Sequence, residues 1–303
     1  MVEGRKNVTM GDLFALTVWA VLALVLCFAR SGSCQTKDAW VIIVDTSRYW
    51  LNYRHATNAL AIYQSAKRLG VPDSRIILMV AEDFAENPRN VLQSQLYLDP
   101  ELKMNVHEDV EIDYVGDEVS VETFVRVLTG RHEGAFVPKS KRLLSTKNSN
   151  LLLYITGHGG ENYMKFQDAE QIFGEDLNGI LVEMRRMERY DNAMIVVDTC
   201  KASTFCQHIS TPNTGCMASS LRGQNSYSKH SNSQVGNSLV DEMTYYLFST
   251  FSKMEKRGRD QSSNTIRQVF HVLKRKMESS TPFLQSYGTK RNISEMMITE
   301  FLG

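Results

Sequence analysis

The sequence predicts an α/β fold: a mostly parallel central sheet with helices on both faces. The first observation is a set of four apolar runs that are continuous rather than alternating, which is typical of strands buried on both faces. The second is that helical apolar patterns separate these runs, and repeated strand–helix order indicates a parallel sheet. The four runs are "WVIIVDT" (40–46), "RIILMV" (75–80), "LLLYIT" (151–156) and "AMIVVDT" (193–199).

Five sets of apolar residues recur at helical spacing and predict helices that pack on this sheet. The first two sets are followed by Gly70 and Gly130, which can close a helix. The fourth follows Asn237, which we expect to cap it. The polar stretch 223–238 predicts a mobile loop near the functional site. The five sets are Ala59, Leu60, Tyr63 and Ala66; Val121, Phe124, Val125 and Leu128; Leu177, Ile180, Leu181 and Met184; Leu239, Met243, Tyr246 and Leu247; and Ile266, Val269, Phe270 and Leu273.

The N-terminus predicts entry into the secretory pathway. Arg5 and Lys6 precede the uncharged apolar run 13–29, and small residues follow at 31–33. This order is typical of a secretory signal peptide, although the length of the run leaves an uncleaved signal anchor as the alternative. We therefore expect a signal peptide or anchor at 1–33. A single domain without a C-terminal transmembrane span should follow at 34–303, facing the secretory lumen.

Charge and cysteine content narrow the function classes. The chain has 303 residues, with 34 Lys and Arg against 34 Asp and Glu, so its formal net charge is zero. A balanced charge disfavours a nucleic-acid partner. Five cysteines are too few for a fold held together mainly by disulfides in a chain of this length. Three remain if the N-terminal segment with Cys34 is removed. An odd thiol indicates a free reactive group or an intermolecular partner. We interpret Cys206 and Cys216 as structural or partner-facing.

Two of the predicted strands run into residues that carry chemistry. His158 follows "LLLYIT" inside "GHGG", and Cys200 follows "MIVVDT". In open α/β sheets ligands bind beyond the carboxyl ends of the strands, so these two side chains could meet there. A neutral imidazole can help a cysteine to form its thiolate, and the amides of Gly159 and Cys200 could face an oxyanion. Taken singly, a cysteine that ends a strand is more often a small buried hydrophobe, and a histidine beside Gly-Gly is more often a turn residue.

Several collinear motifs resemble a known enzyme family. "YITGHGG" followed by "IVVDTC" is similar to the asparaginyl-endopeptidase (legumain) branch of the caspase-like cysteine peptidase clan. Within that branch, longer stretches resemble the catalytic subunits of glycosylphosphatidylinositol (GPI) transamidases, and the similarity runs from Trp40 to the final "ITEFLG". The resemblance implies a caspase-like (caspase-haemoglobinase) fold. The longer stretches are "SRYWLNYRHATNALAIYQSAKRLGVPDSRIILM", "ENPRN", "VETFVRVLTGR", "SKRLLSTKNSNLLLYITGHGG" and "MASS".

The resemblance also implies an activity and its residues. Such an enzyme cuts a C-terminal signal from a precursor through a Cys thioester and transfers the new carboxyl to the ethanolamine amine of a GPI lipid. By position, Cys200 is the nucleophile, His158 its general base and acid, and Gly159 an oxyanion donor. Asn52 matches an active-site asparagine, although helix capping is the commoner role for such a residue. Arg54 and Asp198 match the pocket for the residue before the cleaved bond, with Ser219 and Ser220 as weaker candidates. Arg54 could instead pair with Asp198 merely to neutralise both.

A structural calcium site is a further expectation. Relatives in this clan bind calcium through acidic residues, and Asp73, Glu111 and Asp113 match those positions. Carboxylate and carbonyl oxygens suit calcium, while a solvated acidic surface is the alternative interpretation. No cofactor is expected for the chemistry itself.

The resemblance implies partners and a compartment as well. It implies a place in the endoplasmic reticulum lumen, with membrane association through other subunits of a transamidase complex. Glu86 stands where some relatives carry a cysteine that bridges to a partner subunit, so that disulfide is not expected here. Two alternatives remain open: a lumenal legumain-like endopeptidase that cuts after Asn or Asp, and a non-catalytic scaffold that recognises C-terminal signals.

Overall fold

The computed structural model describes residues 38–132, 136–257, 264–288 and 292–303, and the predicted signal peptide or anchor lies outside them. The described strands are β1 (Ala39–Asp45), β2 (Ile76–Val80), β3 (Tyr114–Val115), β4 (Asn150–Thr156), β5 (Gly159–Gly160), β6 (Tyr163–Phe166), β7 (Glu170–Phe173), β8 (Asn192–Asp198), β9 (Thr214–Ala218), β10 (Ser228–Asn232), β11 (Asn237–Asp241) and β12 (Phe283–Tyr287). The described α-helices are α1 (Tyr53–Leu69), α2 (Val121–Thr129), α3 (Gly174–Arg186), α4 (Ala202–Cys206), α5 (Glu242–Arg257), α6 (Ile266–Lys276) and α7 (Thr299–Leu302).

The central sheet has the strand order β12, β9, β8, β4, β1, β2, β3. Every neighbouring pair is parallel except β9 and β12, which are antiparallel. The four apolar runs of the sequence form β1, β2, β4 and β8 at its centre. The predicted α/β class with a mostly parallel sheet is therefore confirmed.

Helices cover both faces of this sheet, which explains why its central strands are apolar without alternation. Side chains along a strand point to opposite faces in turn. Val41 and Ile43 of β1 pack in one core with α1, α5, α6 and α7, whereas Ile42 and Val44 pack in the other with α2, α3 and α4. Both cores exclude water, so the positions of β1 between its ends favour apolar side chains.

Strand register brings three carboxyl ends to one edge of the sheet. Asp45, the last residue of β1, pairs with Thr156 of β4, and Thr156 in turn pairs with Asp198 of β8. The loops that follow β1, β4 and β8 therefore begin at the same level. In an open α/β sheet this edge is the usual place for a ligand site.

Two local predictions were wrong, and both concern the segment before α5. The predicted mobile loop 223–238 contains β10 and the start of β11, which pair as an antiparallel hairpin. Asn237 does not cap a helix: it begins β11, and its side-chain amide donates to the carbonyl of Trp50 at 2.6 Å. The helix begins later, at Glu242. The hairpin thus contacts the loop that enters α1.

In the ranges given above, no helix combines the length and the hydropathy needed to cross a membrane.

Candidate active site

The structure places His158 and Cys200 on neighbouring strand ends. Each lies two residues beyond the paired positions Thr156 and Asp198, at which β4 and β8 end side by side. The hydroxyl of Thr199 donates to the carbonyl of Gly157 at 2.8 Å, which joins the two loops directly. Cys200 is a free, partly exposed thiol. The catalytic roles of the pair stay predictions, but the fold brings both residues to the same loop cluster.

Asn52 contacts the histidine and does not use its side chain as a helix cap. Its Oδ1 lies 2.8 Å from Nε2 of His158, and its side-chain amide donates to the carbonyl of Arg48 at 2.5 Å. No hydrogen bond joins this side chain to the first turn of α1, so the capping alternative is wrong. Because the amide nitrogen faces Arg48, the oxygen faces the imidazole, and Nε2 must be the protonated nitrogen. Nδ1 is then left unprotonated and able to accept a proton from a thiol.

The surroundings of His158 favour its neutral form. Burial lowers its pKa, and the Arg54 guanidinium lowers it further. Its ring also meets the ring of His55 edge-on, with centroids 5.0 Å apart. His55 is buried, and that burial lowers its own pKa well below the usual value, so it adds little positive charge beside the base. A neutral imidazole is the form that a general base requires.

Two of the predicted pocket residues, Arg54 and Asp198, lie in a cluster of ionisable side chains with a third member, Asp241, that the sequence analysis did not find. Arg54 donates through Nε to Oδ1 of Asp241 at 3.0 Å rather than pairing with Asp198, so the proposed Arg54–Asp198 ion pair is not formed. The carboxylate of Asp198 instead accepts from the hydroxyls of Ser226 at 2.8 Å and Thr244 at 2.7 Å. Asp241 ends β11, which the sequence had assigned to a loop and a helix, so nothing pointed to it.

The carboxyl groups of Asp198 and Asp241 both resist ionisation. Burial and, next, the nearby Asp198 raise the pKa of Asp241 to about 7, although the Arg54 guanidinium opposes the rise. Burial also raises the pKa of Asp198, while its three hydroxyl partners lower it. Because the two buried carboxyl groups interact with each other, the pair titrates as a unit.

Ser219 and Ser220 lie behind the loop that carries Cys200 rather than on the surface of a substrate pocket. Both are completely buried, and both hydroxyls donate to the carbonyl of Thr199, at 3.1 Å and 2.8 Å. Their predicted contact with substrate stays untested. As they stand, they hold the loop that carries Cys200.

The disulfide between Cys206 and Cys216 joins the end of α4 to β9. Both cysteines are buried, so of the two interpretations offered by the sequence the structural one applies. The pairing also accounts for the odd thiol: Cys200 is the one left free in the described part of the chain.

The three predicted calcium ligands, Asp73, Glu111 and Asp113, lie near the C-terminal end of α1, away from His158 and Cys200. The hydrogen bond from Asp73 raises the pKa of Glu111, and burial raises that of Asp113 to about 7 with both neighbouring carboxylates adding to the rise. Tyr63 donates to Asp73 and accepts from the Glu111 amide, and Lys67 Nζ lies 3.7 Å from Asp73. As arranged, the described residues contain no group of three or more His, Cys, Asp or Glu that could hold a metal ion. The donors nevertheless fit a hard cation, since calcium prefers carboxylate oxygens and a cation would relieve the influence of the neighbouring carboxyl groups, which raise the pKa of Glu111 and Asp113.

Comparison with known proteins identifies the family. The model of the peptidase C13 family matches residues 39–303. The chain belongs to the peptidase C13 family. Its relatives include the GPI-anchor transamidase of Schizosaccharomyces pombe, 38% identical over 94% of this chain and 74% of the relative. The putative GPI-anchor transamidase of Drosophila melanogaster is 41% identical over 91% of this chain and 76% of the relative. The human GPI-anchor transamidase is 38% identical over 91% and 68%.

A solved structure supports the fold independently. Caspase-1 of Spodoptera frugiperda superimposes with a TM-score of 0.50 over 85% of this chain and 89% of the caspase, at 9% sequence identity. At that identity the likeness shows the fold alone, and the predicted caspase-like fold is confirmed. This C13 chain is thus a cysteine peptidase-like enzyme whose candidate site lies at the carboxyl edge of its sheet.

Proposed function

We propose that this chain is the catalytic subunit of a GPI transamidase. The observation that carries the proposal is the placement of Cys200 and the His158–Asn52 pair after adjacent strand ends, in a chain whose C13 relatives are named GPI-anchor transamidases. The substrate is a precursor protein with a C-terminal signal, and the acceptor is the ethanolamine amine of a GPI glycolipid.

The residues supply both halves of an acyl transfer. Nδ1 of His158 takes the thiol proton of Cys200, and the thiolate attacks the peptide carbonyl. The C–N bond breaks as the imidazolium returns that proton to the leaving amine, which leaves a thioester on Cys200. The lipid amine then attacks the thioester and gives a proton to His158, the C–S bond breaks, and the imidazolium passes that proton to the departing Cys200 sulfur. The amides of Gly159 and Cys200 are the candidate oxyanion donors.

The same proposal includes a compartment and partners. The disulfide between Cys206 and Cys216 supports an oxidising environment such as the endoplasmic reticulum lumen. The work of holding lipid and precursor falls to other subunits of a transamidase complex. Glu86 is exposed and accepts a hydrogen bond from Ser94, so this position offers no thiol for a bridge to a partner.

Product analysis separates this function from hydrolysis. Microsomes from cells with this chain as their sole copy receive a precursor with a GPI signal, and the product is tested for the lipid by mass spectrometry. We expect a GPI amide at the new C-terminus. A free carboxyl as the sole product would support the legumain-like endopeptidase, and product from a Cys200→Ala variant would support the scaffold.

We also propose that Asp73, Glu111 and Asp113 hold a structural calcium ion, whose charge would relieve the repulsion among their carboxyl groups. Calcium at millimolar concentration should raise the melting temperature of the full chain relative to a chelator. Asp113→Asn should abolish this rise, whereas Asp168→Asn, a change at an exposed carboxylate, should keep it. Equal melting temperatures with calcium and with chelator would refute the site.

A further inference from the structure

The peptide unit that joins Thr199 to Cys200 is held from behind by two buried serines. The hydroxyl of Ser220 donates to the carbonyl of Thr199 at 2.8 Å and accepts a hydrogen bond from the amide of Ala202 at 3.1 Å. This one side chain therefore binds the backbone on both sides of Cys200. The hydroxyl of Ser219 reaches the same carbonyl at 3.1 Å, but it also lies within reach of the Asp198 carboxylate. Ser220 is therefore the stronger of the two restraints.

The backbone N–H of Cys200 differs from its neighbours in the loop after β8 in its hydrogen bonding. The amides on either side of it are bonded inside the protein, whereas in the described part of the chain the Cys200 amide donates to no acceptor. A backbone N–H at a candidate active site that is left without a protein partner is available to a ligand. The bonded amides are Thr199 to Ser219 Oγ at 3.2 Å, Lys201 to the Gln224 carbonyl at 2.8 Å, Ala202 to Ser220 Oγ at 3.1 Å and Ser203 to the Ser220 carbonyl at 2.9 Å.

The hydrogen bonds to the Thr199 carbonyl also fix the direction of the Cys200 N–H, because both groups belong to one planar peptide unit. A trans peptide is planar, with its C=O and N–H on opposite sides. The Thr199 carbonyl points inward to Ser220, so the N–H of Cys200 in the same plane points away from these serines. Lys201 then adopts a left-handed conformation, with φ 55°, and turns the chain sharply after the nucleophile.

We propose that Ser220, assisted by Ser219, is a positioning residue that fixes the Cys200 amide as an oxyanion donor. The inference rests on the acyl transfer proposed above and assigns these serines a role other than lining the substrate pocket. An oxyanion donor lowers the barrier only when it is aimed before the reaction begins. The two buried serine hydroxyls that donate to the Thr199 carbonyl hold the Cys200 N–H in a fixed direction.

The test compares turnover with thiol reactivity in the full chain. Ser220→Ala and the double Ser219→Ala/Ser220→Ala variant are expressed as sole copies, and precursor consumption is measured in microsomes. We expect kcat to fall roughly 10- to 100-fold, less than the loss of an oxyanion donor outright, with little change in KM for Ser220→Ala. The rate of Cys200 alkylation by iodoacetamide should stay within about twofold, since that reaction forms no oxyanion.

Ser65→Ala is the matched control, because Ser65 is another buried serine whose hydroxyl donates to a backbone carbonyl, that of Ala61 in α1. It should leave both rates unchanged. Wild-type kcat in Ser220→Ala would overturn the inference, and so would equal losses of kcat and alkylation, which would mean that the loop had simply moved. If the double variant does not fold, Ser220→Ala alone decides the matter. Turnover by a Cys200→Ala control would instead refute the proposed function.

Discussion

Asn52 shows how one amide side chain can set the proton chemistry of the site. Its nitrogen is engaged by the Arg48 carbonyl, which leaves its oxygen for His158. The hydrogen bond both orients the ring and selects the tautomer with a free Nδ1. The sequence placed Asn52 beside the strand-end residues only through family resemblance, because the contact joins positions more than a hundred residues apart.

Asn52→Ala should therefore weaken catalysis without removing the nucleophile. We expect kcat to fall roughly 10- to 100-fold at neutral pH, since general acid–base catalysis contributes about 10²–10⁴ and the variant retains the imidazole. Precursor consumption in microsomes measures this. Unchanged kcat in a normally folded variant would show that His158 needs no partner.

Some site residues had no signal in the sequence. His55 contacts His158 because α1 packs beside the end of β4, and Asp241 contacts His55 because α1 also packs against β11. Side chains on separate elements cannot be paired from local patterns. By contrast, Cys200 and His158 could be found, since both directly follow recognisable apolar strands.

At the scale of elements, the loops after β4 and β8 fit together so closely that Gly159 has no room for a side chain. A Cβ at this position would lie 2.7 Å from the Thr199 hydroxyl and 2.7 Å from the Tyr163 carbonyl oxygen. The second of these is backbone and cannot rotate away. The glycine in "GHGG" is thus explained by close approach of two loops.

Gly159→Ala should cost roughly 100-fold in turnover, since a displacement of about 1 Å at a reacting group has that effect. Gly179→Ala is the control: this glycine lies within α3 with nothing near its missing Cβ. That change should preserve turnover and stabilise the fold by about 0.5–1 kcal/mol. Equal turnover in the two variants would contradict the packing of these loops.

The Cys206–Cys216 disulfide links α4, the helix that follows Cys200, to β9, the strand next to β8 in the sheet. Replacing both Cys206 and Cys216 by alanine should lower the free energy of unfolding by roughly 2–3 kcal/mol, because the crosslink closes a short loop. Urea unfolding measures the change. Wild-type protein unfolded with a reductant should show a similar loss, and no difference between oxidised and reduced protein would exclude the bond as a stabilising element.

At the scale of the whole molecule, the sequence predicted the centre of the sheet better than its edges. The strands β1, β2, β4 and β8 are covered on both faces, so their apolar runs are continuous and easily recognised. Strands β9 and β12 were missed because "TGCMA" and "FLQSY" mix polar and apolar residues, and their pairing depends on distant partners. The hairpin β10–β11 was missed for the same reason: its exposed polar residues have the composition of a loop.

Burial of acidic groups at the carboxyl edge of the sheet should make the stability of the fold depend on pH. Asp45 is fully buried, its Oδ2 has no hydrogen-bond partner among the residues that the structure describes, and burial raises its pKa well above the usual range. A carboxyl with a raised folded pKa stabilises the fold below its unfolded pKa of about 4, and this contribution is lost as the pH rises through the folded value.

Asp45→Asn should therefore gain stability relative to wild type as the pH rises above 4, by about 1.4 kcal/mol per pH unit until the folded pKa is reached. Urea unfolding of both proteins between pH 4 and pH 8 gives the difference. Curves that stay parallel across this range would mean that Asp45 ionises in the fold as freely as in the unfolded chain.

The most direct test of the central claim is a Cys200→Ala replacement in cells that have no other copy, with a reporter that carries a GPI signal. We expect normal levels of the chain, accumulation of uncleaved precursor and no anchored reporter. His158→Ala should behave in the same way. Anchored reporter at wild-type levels in the Cys200→Ala cells would contradict the Cys–His mechanism.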